Sequence, residues 1–428
     1  MSYHFLLDLA LILLSTKLLG LVTRRFQMPQ VVGSLLAGLL LGPSMLNVLQ
    51  ETEFLDQISE LGVIVILFTA GLGTNIQELK ESGKAGFLVA LLGVLAPLAM
   101  GTGLALGAER LGMIPSGGWL EAVFVGTIFT ATSVSITVET LRELGKLNTR
   151  VGNTILAAAL IDDVLGLVVL TIVSGLGGGA SASVAVVLGK IVLFFVFACA
   201  AGYCATKVFS WMMVRADGHN RRRFTVLSFV LCLLMAYCAE AFFGVADIIG
   251  AYVAGLAISS TPKAAYIQSK FEPVSYLLLT PVFFASVGIS ADVRGLNRSV
   301  VVFTLLLLLM AVLSKLIGCG LGAKLCGFSG KESLQVGLGM ACRGEVALIV
   351  ANRGLEMGVL SQTILTPVII TVVCCSILTP VTLKLAYRGE GDGKLEESGL
   401  TDRVVQADQL DILSDELLER DQELRKRK

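Results

Sequence analysis

Histidine is almost missing from this chain, with two in 428 residues, and nine cysteines are scattered without a single CxxC pair. That pattern offers no resident metal cluster and no disulfide framework, so the cysteines, Cys374 and Cys375 included, read as helix-packing residues. Charge is scarce as well. Only 15% of residues are charged, and 33 basic residues balance 33 acidic ones, which leaves no basic footprint for nucleic acid. The opening "MSYHFLLDLALILL" lacks a basic n-region, and no small-residue cleavage site follows it, so it is expected to be a retained helix. The glycine-rich "GLGGGA" at 175–180 has no strand before it, so it reads as a flexible loop rather than a phosphate cradle. No cofactor and no enzymatic constellation is expected.

What fills the chain instead is apolar sequence, 55% of all residues, with a mean hydropathy of +0.82. Long apolar runs read as membrane-spanning helices. They lie near 4–22, 30–49, 55–76, 85–109, 119–141, 151–174, 184–209, 224–243, 245–260, 272–290, 299–323, 332–352 and 360–387, so about 13 spans are expected in an all-α polytopic membrane protein. Basic residues test that count. The odd-numbered connections hold Arg24 and Arg25; Lys80 and Lys84; Arg142, Lys146 and Arg150; Arg215 and Arg221 to Arg223; Lys263 and Lys270; and Lys324 and Lys331. The even-numbered ones hold Arg110, Arg294, Arg298 and Arg353. Fifteen against four places the odd connections in the cytoplasm, with the N-terminus outside and the C-terminus inside. Residues 1–387 then form a transmembrane domain. Residues 388–428, with twelve acidic and eight basic side chains, form a short charged cytoplasmic tail, too short for a folded nucleotide-binding domain.

Ionisable residues inside spans mark function by default. In "LIDDVLG", Asp162 and Asp163 fall about eleven residues into the sixth span, too deep to snorkel to an interface. Successive helical residues point about 100° apart, so one carboxylate can meet a fixed partner while the other faces a cavity. Burial and a neighbouring like charge both favour the protonated carboxylate. Such a group can hold either a proton or a small hard cation. Lys315 lies mid-way along "LLLLLMAVLSKLIGCGLG" and needs a counter-ion, for which Asp162 or Asp163 is the obvious candidate. Thr127, Thr130, Thr132, Ser133, Ser135 and Thr137 crowd the fifth span. Two or three hydroxyls could simply back-bond to a helix; six suit a helix that breaks and exposes carbonyls to a cation. In "GMACRGEVALIV" of the twelfth span, Arg343 and Glu345 flank Gly344. They are either a structural ion pair or the mark of a second interruption. Glu240 and Asp247 are expected near the outer surface, without a role. The fifth and twelfth spans are seven apart, so equivalent elements run in opposite directions, as in inverted repeats whose half-helices meet at the midplane.

Together these residues resemble the sodium–proton antiporters of the NapA and NhaA type, within the monovalent cation–proton antiporter superfamily. The resemblance covers about residues 5–387. It rests chiefly on "TATSVSITVETLRELGKLNTRVGNTILAAALIDDVLGLVVL" at 130–170, with "PVFFASVGI", "SKLIGCGLGA" and "RGEVALIV" adding to it. It implies an NhaA-type fold in a prokaryotic inner membrane and a homodimer. Each protomer would pair a dimerisation part with a core, spans near 85–174 and 299–387, in which two broken helices cross. It further implies that Asp163 binds the transported ion and proton, that Asp162 pairs with Lys315, and that Thr132 and Ser133 lie in the unwound segment beside the ion. The aspartate pair with a lysine is the pattern of electrogenic members. One departure is "LFTAGLGTN" in the third span, where many relatives carry an acid near Gly73.

The expected function is electrogenic exchange of cytoplasmic Na+ or Li+ for external protons across the lipid bilayer. Three rivals remain: K+/H+ exchange on the same fold, sodium-coupled symport of an organic acid, and a channel or membrane sensor. The symporter needs a roomier second site, and the channel needs polar residues along a continuous path rather than at one depth. Ion preference, proton stoichiometry and pH set-point are not readable from residue types.

Overall fold

The computed structural model describes residues 4–25, 28–115, 117–176, 184–215, 222–261, 264–289 and 298–388. The charged tail and all but the first residues of the glycine-rich loop lie outside the described residues. The chain runs as α1 (His4–Arg25), α2 (Gln30–Leu41), α3 (Glu53–Leu72), α4 (Ile76–Arg110), α5 (Gly118–Ile128), α6 (Val134–Glu143), α7 (Arg150–Leu176) and α8 (Val184–Arg215). It continues as α9 (Arg222–Phe243), α10 (Asp247–Ser259), α11 (Ala264–Val274), α12 (Thr280–Ile289), α13 (Arg298–Leu325), α14 (Gly330–Gly339), α15 (Glu345–Glu356) and α16 (Gln362–Tyr387). A π-helical turn, Ser275–Leu279, joins α11 to α12. Among the described residues nine helical stretches are long and apolar enough to cross a membrane, and α2, α5, α10 and most of α15 are shorter apolar helices. The chain is a multi-pass membrane protein.

Helix ends obey local chemistry where the hydropathy runs misplace them. The run expected over 30–49 is helical only to Leu41; beyond it the amides of Val48 and Leu49 turn back to the Leu41 carbonyl. The run expected from 85 begins as a helix nine residues earlier, where Asn75 accepts from the Gln77 amide as an N-cap. The polar turn "IQELKESGK" lowers the mean hydropathy, yet it is strongly helix-forming and simply carries α4 beyond the apolar layer. Ser329 and Glu332 build a reciprocal capping box at the start of α14.

The helices sort into two packed groups. In one, α4 lies between α13 and α7 and also contacts α5, while α13 touches α14 and α16. In the other, α1 packs on α2, α2 on α12, and α3 on α10 and α12. The first group repeats one pattern along the chain: a long helix, a broken pair, a long helix (α4, α5/α6, α7, then α13, α14/α15, α16).

Candidate functional site

Helix α5 stops at Ile128 and α6 starts at Val134; residues 129–130 turn back onto the end of α5 and 131–133 lie outside both helices, within the stretch of hydroxyls. Helix α14 stops at Gly339 and α15 starts at Glu345. The two interruptions meet. The Ser133 amide donates to the Cys342 carbonyl at 3.1 Å, and the Thr137 hydroxyl donates to the Gly339 carbonyl at 2.7 Å. Backbones come this close because Gly344 has no Cβ; one built there would stand 2.6 Å from the Ser133 Oγ. Four half-helix ends thus converge, presenting positive and negative ends of their dipoles to one point.

Arg343 is fully buried at this crossing. Its guanidinium donates to the carbonyls of Met340 and Cys342, each at 3.2 Å, and reaches the Ala311 carbonyl on α13 at 3.5 Å. It thereby satisfies carbonyls that the end of α14 leaves without helical donors. The Ser376 hydroxyl on α16 donates to the Arg343 carbonyl. An ion pair between Arg343 and Glu345 is one of the expectations from sequence, but the Glu345 side chain lies outside the described residues.

The aspartates of α7 separate as 100° of helical rotation requires. Asp162 is buried, with Oδ1 2.8 Å from the Nζ of Lys315, and neither side chain is exposed at all. Its Oδ2 accepts the Thr132 hydroxyl, also at 2.8 Å. A buried pair is tolerated when both charges are matched and the remaining lone pairs are met. Gly93 on α4 leaves room for it, since a Cβ there would lie 3.6 Å from the Lys315 Nζ and 2.5 Å from the Cys319 Sγ. Asp163 is only partly buried as a residue, although its two carboxylate oxygens are covered, and like Asp162 it lines a cavity of about 1020 Å³.

That cavity lies between the two helix groups. Thr127, Thr130, Ala131, Asp162 and Asp163 are among the residues at its deep end. Glu51, Asp56, Glu60, Glu240 and Asp247 line it near the ends of α3, α9 and α10. Carboxylate oxygens of Glu60, Glu240 and Asp247 lie within 4.8 Å of one another. An acidic mouth over a low-dielectric floor concentrates cations. Thr132 and Ser133 do not line the cavity: Thr132 is turned to Asp162, and Ser133 is buried in the crossing beside Ser135. Hydroxyl residues on its wall are Ser59, Thr127, Thr130 and Ser286, of which Thr127 and Thr130 each donate to a backbone carbonyl. Glu240 and Asp247 carried no role in the sequence reading. The signal available was their position at facing ends of consecutive helices, which becomes meaningful only when Glu60 joins them from α3.

Residues 10–388 match the family described as "Sodium/hydrogen exchanger, transmembrane". The chain belongs to that family. It is 38% identical over 390 residues to the Na(+)/H(+)-K(+) antiporter GerN of Bacillus cereus, covering 90% of this chain and 97% of that protein. It is 36% identical over 386 residues to a Na(+)/H(+) antiporter of Enterococcus hirae, covering 89% and 97%. The fold is similar to that of the sodium–proton antiporter MjNhaP1 of Methanocaldococcus jannaschii, with a TM-score of 0.61 at 21% identity over 91% of this chain and 98% of that one. Membership makes the chain a secondary transporter rather than an enzyme.

Proposed function

We propose that this exchanger-family chain is an electrogenic antiporter that trades cytoplasmic Na+ for external protons by alternating access. The observation that carries the reading is the arrangement on α7: Asp162 is locked to Lys315 and Thr132, and the adjacent Asp163 lines a cavity with an acidic mouth. The nine long apolar helices, with α2, α10 and the two broken pairs, make thirteen crossings. The excess of basic residues in the odd-numbered connections supports an N-terminus and acidic mouth outside and a C-terminus inside. The conformation is then outward-open. The Asp-Asp-Lys set favours the NapA/NhaA branch, working as a homodimer in a prokaryotic inner membrane.

In that conformation external protons load Asp163. Rotation of the core against the other helix group exposes the site to the cytoplasm, where the protons leave and Na+ takes the Asp163 carboxylate. Carbonyls freed by the helix break and nearby hydroxyls complete a hard-oxygen shell suited to a small cation. A second proton is carried by the Asp162–Lys315 pair. Two protons against one Na+ move one net charge inward, so the membrane potential contributes about 2.3 kcal/mol per 100 mV to each cycle. Li+ fits the same ligands.

Everted membrane vesicles test this. Added Na+ should dequench a pH-sensitive dye, and Asp163→Asn should abolish the response while the protein remains in the membrane. Full exchange by Asp163→Asn would refute the assignment. K+ is a second reading because the Bacillus cereus relative is a Na(+)/H(+)-K(+) antiporter; a Na+, Li+ and K+ series at several pH values separates the two.

A further inference from the structure

Helix α2 begins in an unusual way. Its N-cap is Pro29, which offers no side-chain acceptor for the amides of the first turn. A carboxylate from 113 residues away supplies the acceptor: Glu143 takes the Gln30 amide on Oε2 at 2.6 Å and the Val31 amide on Oε1 at 3.3 Å. The two amides and the positive end of the dipole favour its carboxylate, while burial and the neighbouring Glu139 push its pKa up to about 8. The neighbouring Arg142, 3.6 Å from the Glu139 carboxylate, donates to the buried Thr69 hydroxyl on α3 at 2.9 Å. The last turn of α6, the inner half of a broken helix, is thus clasped to two helices of the opposite group.

Its placement gives the contact a consequence. The two helix groups are parted by the cavity on the side holding Glu60, Glu240 and Asp247, and joined on the side holding Glu143. No route from the inner side to Asp163 opens unless α6 draws away from α2 and α3. We infer that Glu143 is a gating residue: its bond to the first turn of α2 latches the inner side shut and is broken and remade once per cycle. This rests on the antiport reading above, and it names a residue outside the ion site that sets how often the site faces each way.

The test uses the full chain above pH 8, where Glu143 is ionised, and Glu143→Gln, which keeps one acceptor but loses the charge. Hydrogen–deuterium exchange in lipid nanodiscs should show the Gln30 and Val31 amides exchanging about tenfold faster, the ratio expected when a charge-assisted bond becomes a neutral one. Amides within α13 should be unaffected, which reports an intact core. In sided transport, the half-saturating Na+ concentration should fall several-fold in everted vesicles and rise in right-side-out vesicles, because the latch biases one equilibrium. Unchanged amide exchange overturns the latch. So does faster exchange with both half-saturating concentrations unmoved, or moved together, since local damage weakens both faces alike. Absence of exchange in the unaltered protein would instead sink the antiport reading and the gating role with it, while the amide arm still reports on the contact.

Discussion

The Asp162–Lys315 pair can be dissected by a double-mutant cycle whose outcome follows from its burial. The two charged atoms lie 2.8 Å apart with no side-chain exposure on either partner, and the one further bond described to the Asp162 carboxylate comes from Thr132. Lys315→Gln leaves that carboxylate without its cation in a place water barely reaches. Breaking a buried pair from one side costs about 3–5 kcal/mol, mostly the penalty of the stranded charge. Asp162→Asn strands the ammonium instead, and a similar loss is expected. In the double variant an amide faces an amide over the same gap, so no charge is stranded and the cost falls to about 1 kcal/mol. The two single losses together therefore exceed the double loss by at least about 5 kcal/mol, above the range of ordinary coupling energies. The assay is chemical denaturation of the four purified proteins in mixed micelles, followed by circular dichroism. Additivity within about 0.5 kcal/mol would refute the reasoning. It would mean that water reaches the pair from the cavity and screens it as it screens a surface ion pair.

Two further outcomes depend on close approach and on the field at the mouth. Gly344→Ala places a methyl group 2.6 Å from the Ser133 Oγ and 2.7 Å from its Cβ. The crossing must open, costing about 1–3 kcal/mol, and vesicle exchange should collapse; normal exchange would show that the two broken helices need not touch there. Neutralising the mouth together, with Glu60→Gln, Glu240→Gln and Asp247→Asn, should raise the half-saturating Na+ concentration at that face several-fold at low ionic strength. The effect should fade toward 0.15 M salt, where charges are screened over about 8 Å; a deficit that persists in high salt would point to direct ligation instead.

How much of this was legible in residue order depended on whether a feature was local. The aspartates could be expected to point apart because adjacency on a helix is itself a geometric statement, and the structure gives Asp162 the partners Lys315 and Thr132. A lone lysine in an apolar run demanded a partner, and Asp162 was one of two candidates. The helix interruption at 129–133 was legible because six hydroxyls in eleven residues are poor company for an uninterrupted helix. The Thr132 hydroxyl donates to Asp162, a partner that residue order does not name, because which face an unwound residue presents is decided by what crosses it and not by its own sequence. Arg343 shows the same limit. Its sequence neighbour Glu345 suggested an ion pair, whereas the described bonds of its guanidinium run to carbonyls at the end of α14 and on α13. The contacts that sequence could not offer at all are the long-range ones: Glu60 with Glu240 and Asp247, and Glu143 with the first turn of α2. Each joins residues more than a hundred positions apart, at the two ends of the same seam between helix groups. Residue order therefore pointed to the buried Asp162–Lys315 pair, a matter of one helix and its immediate partners. It was silent on the acidic cluster and on the Glu143 contact, which exist only where two groups of helices meet.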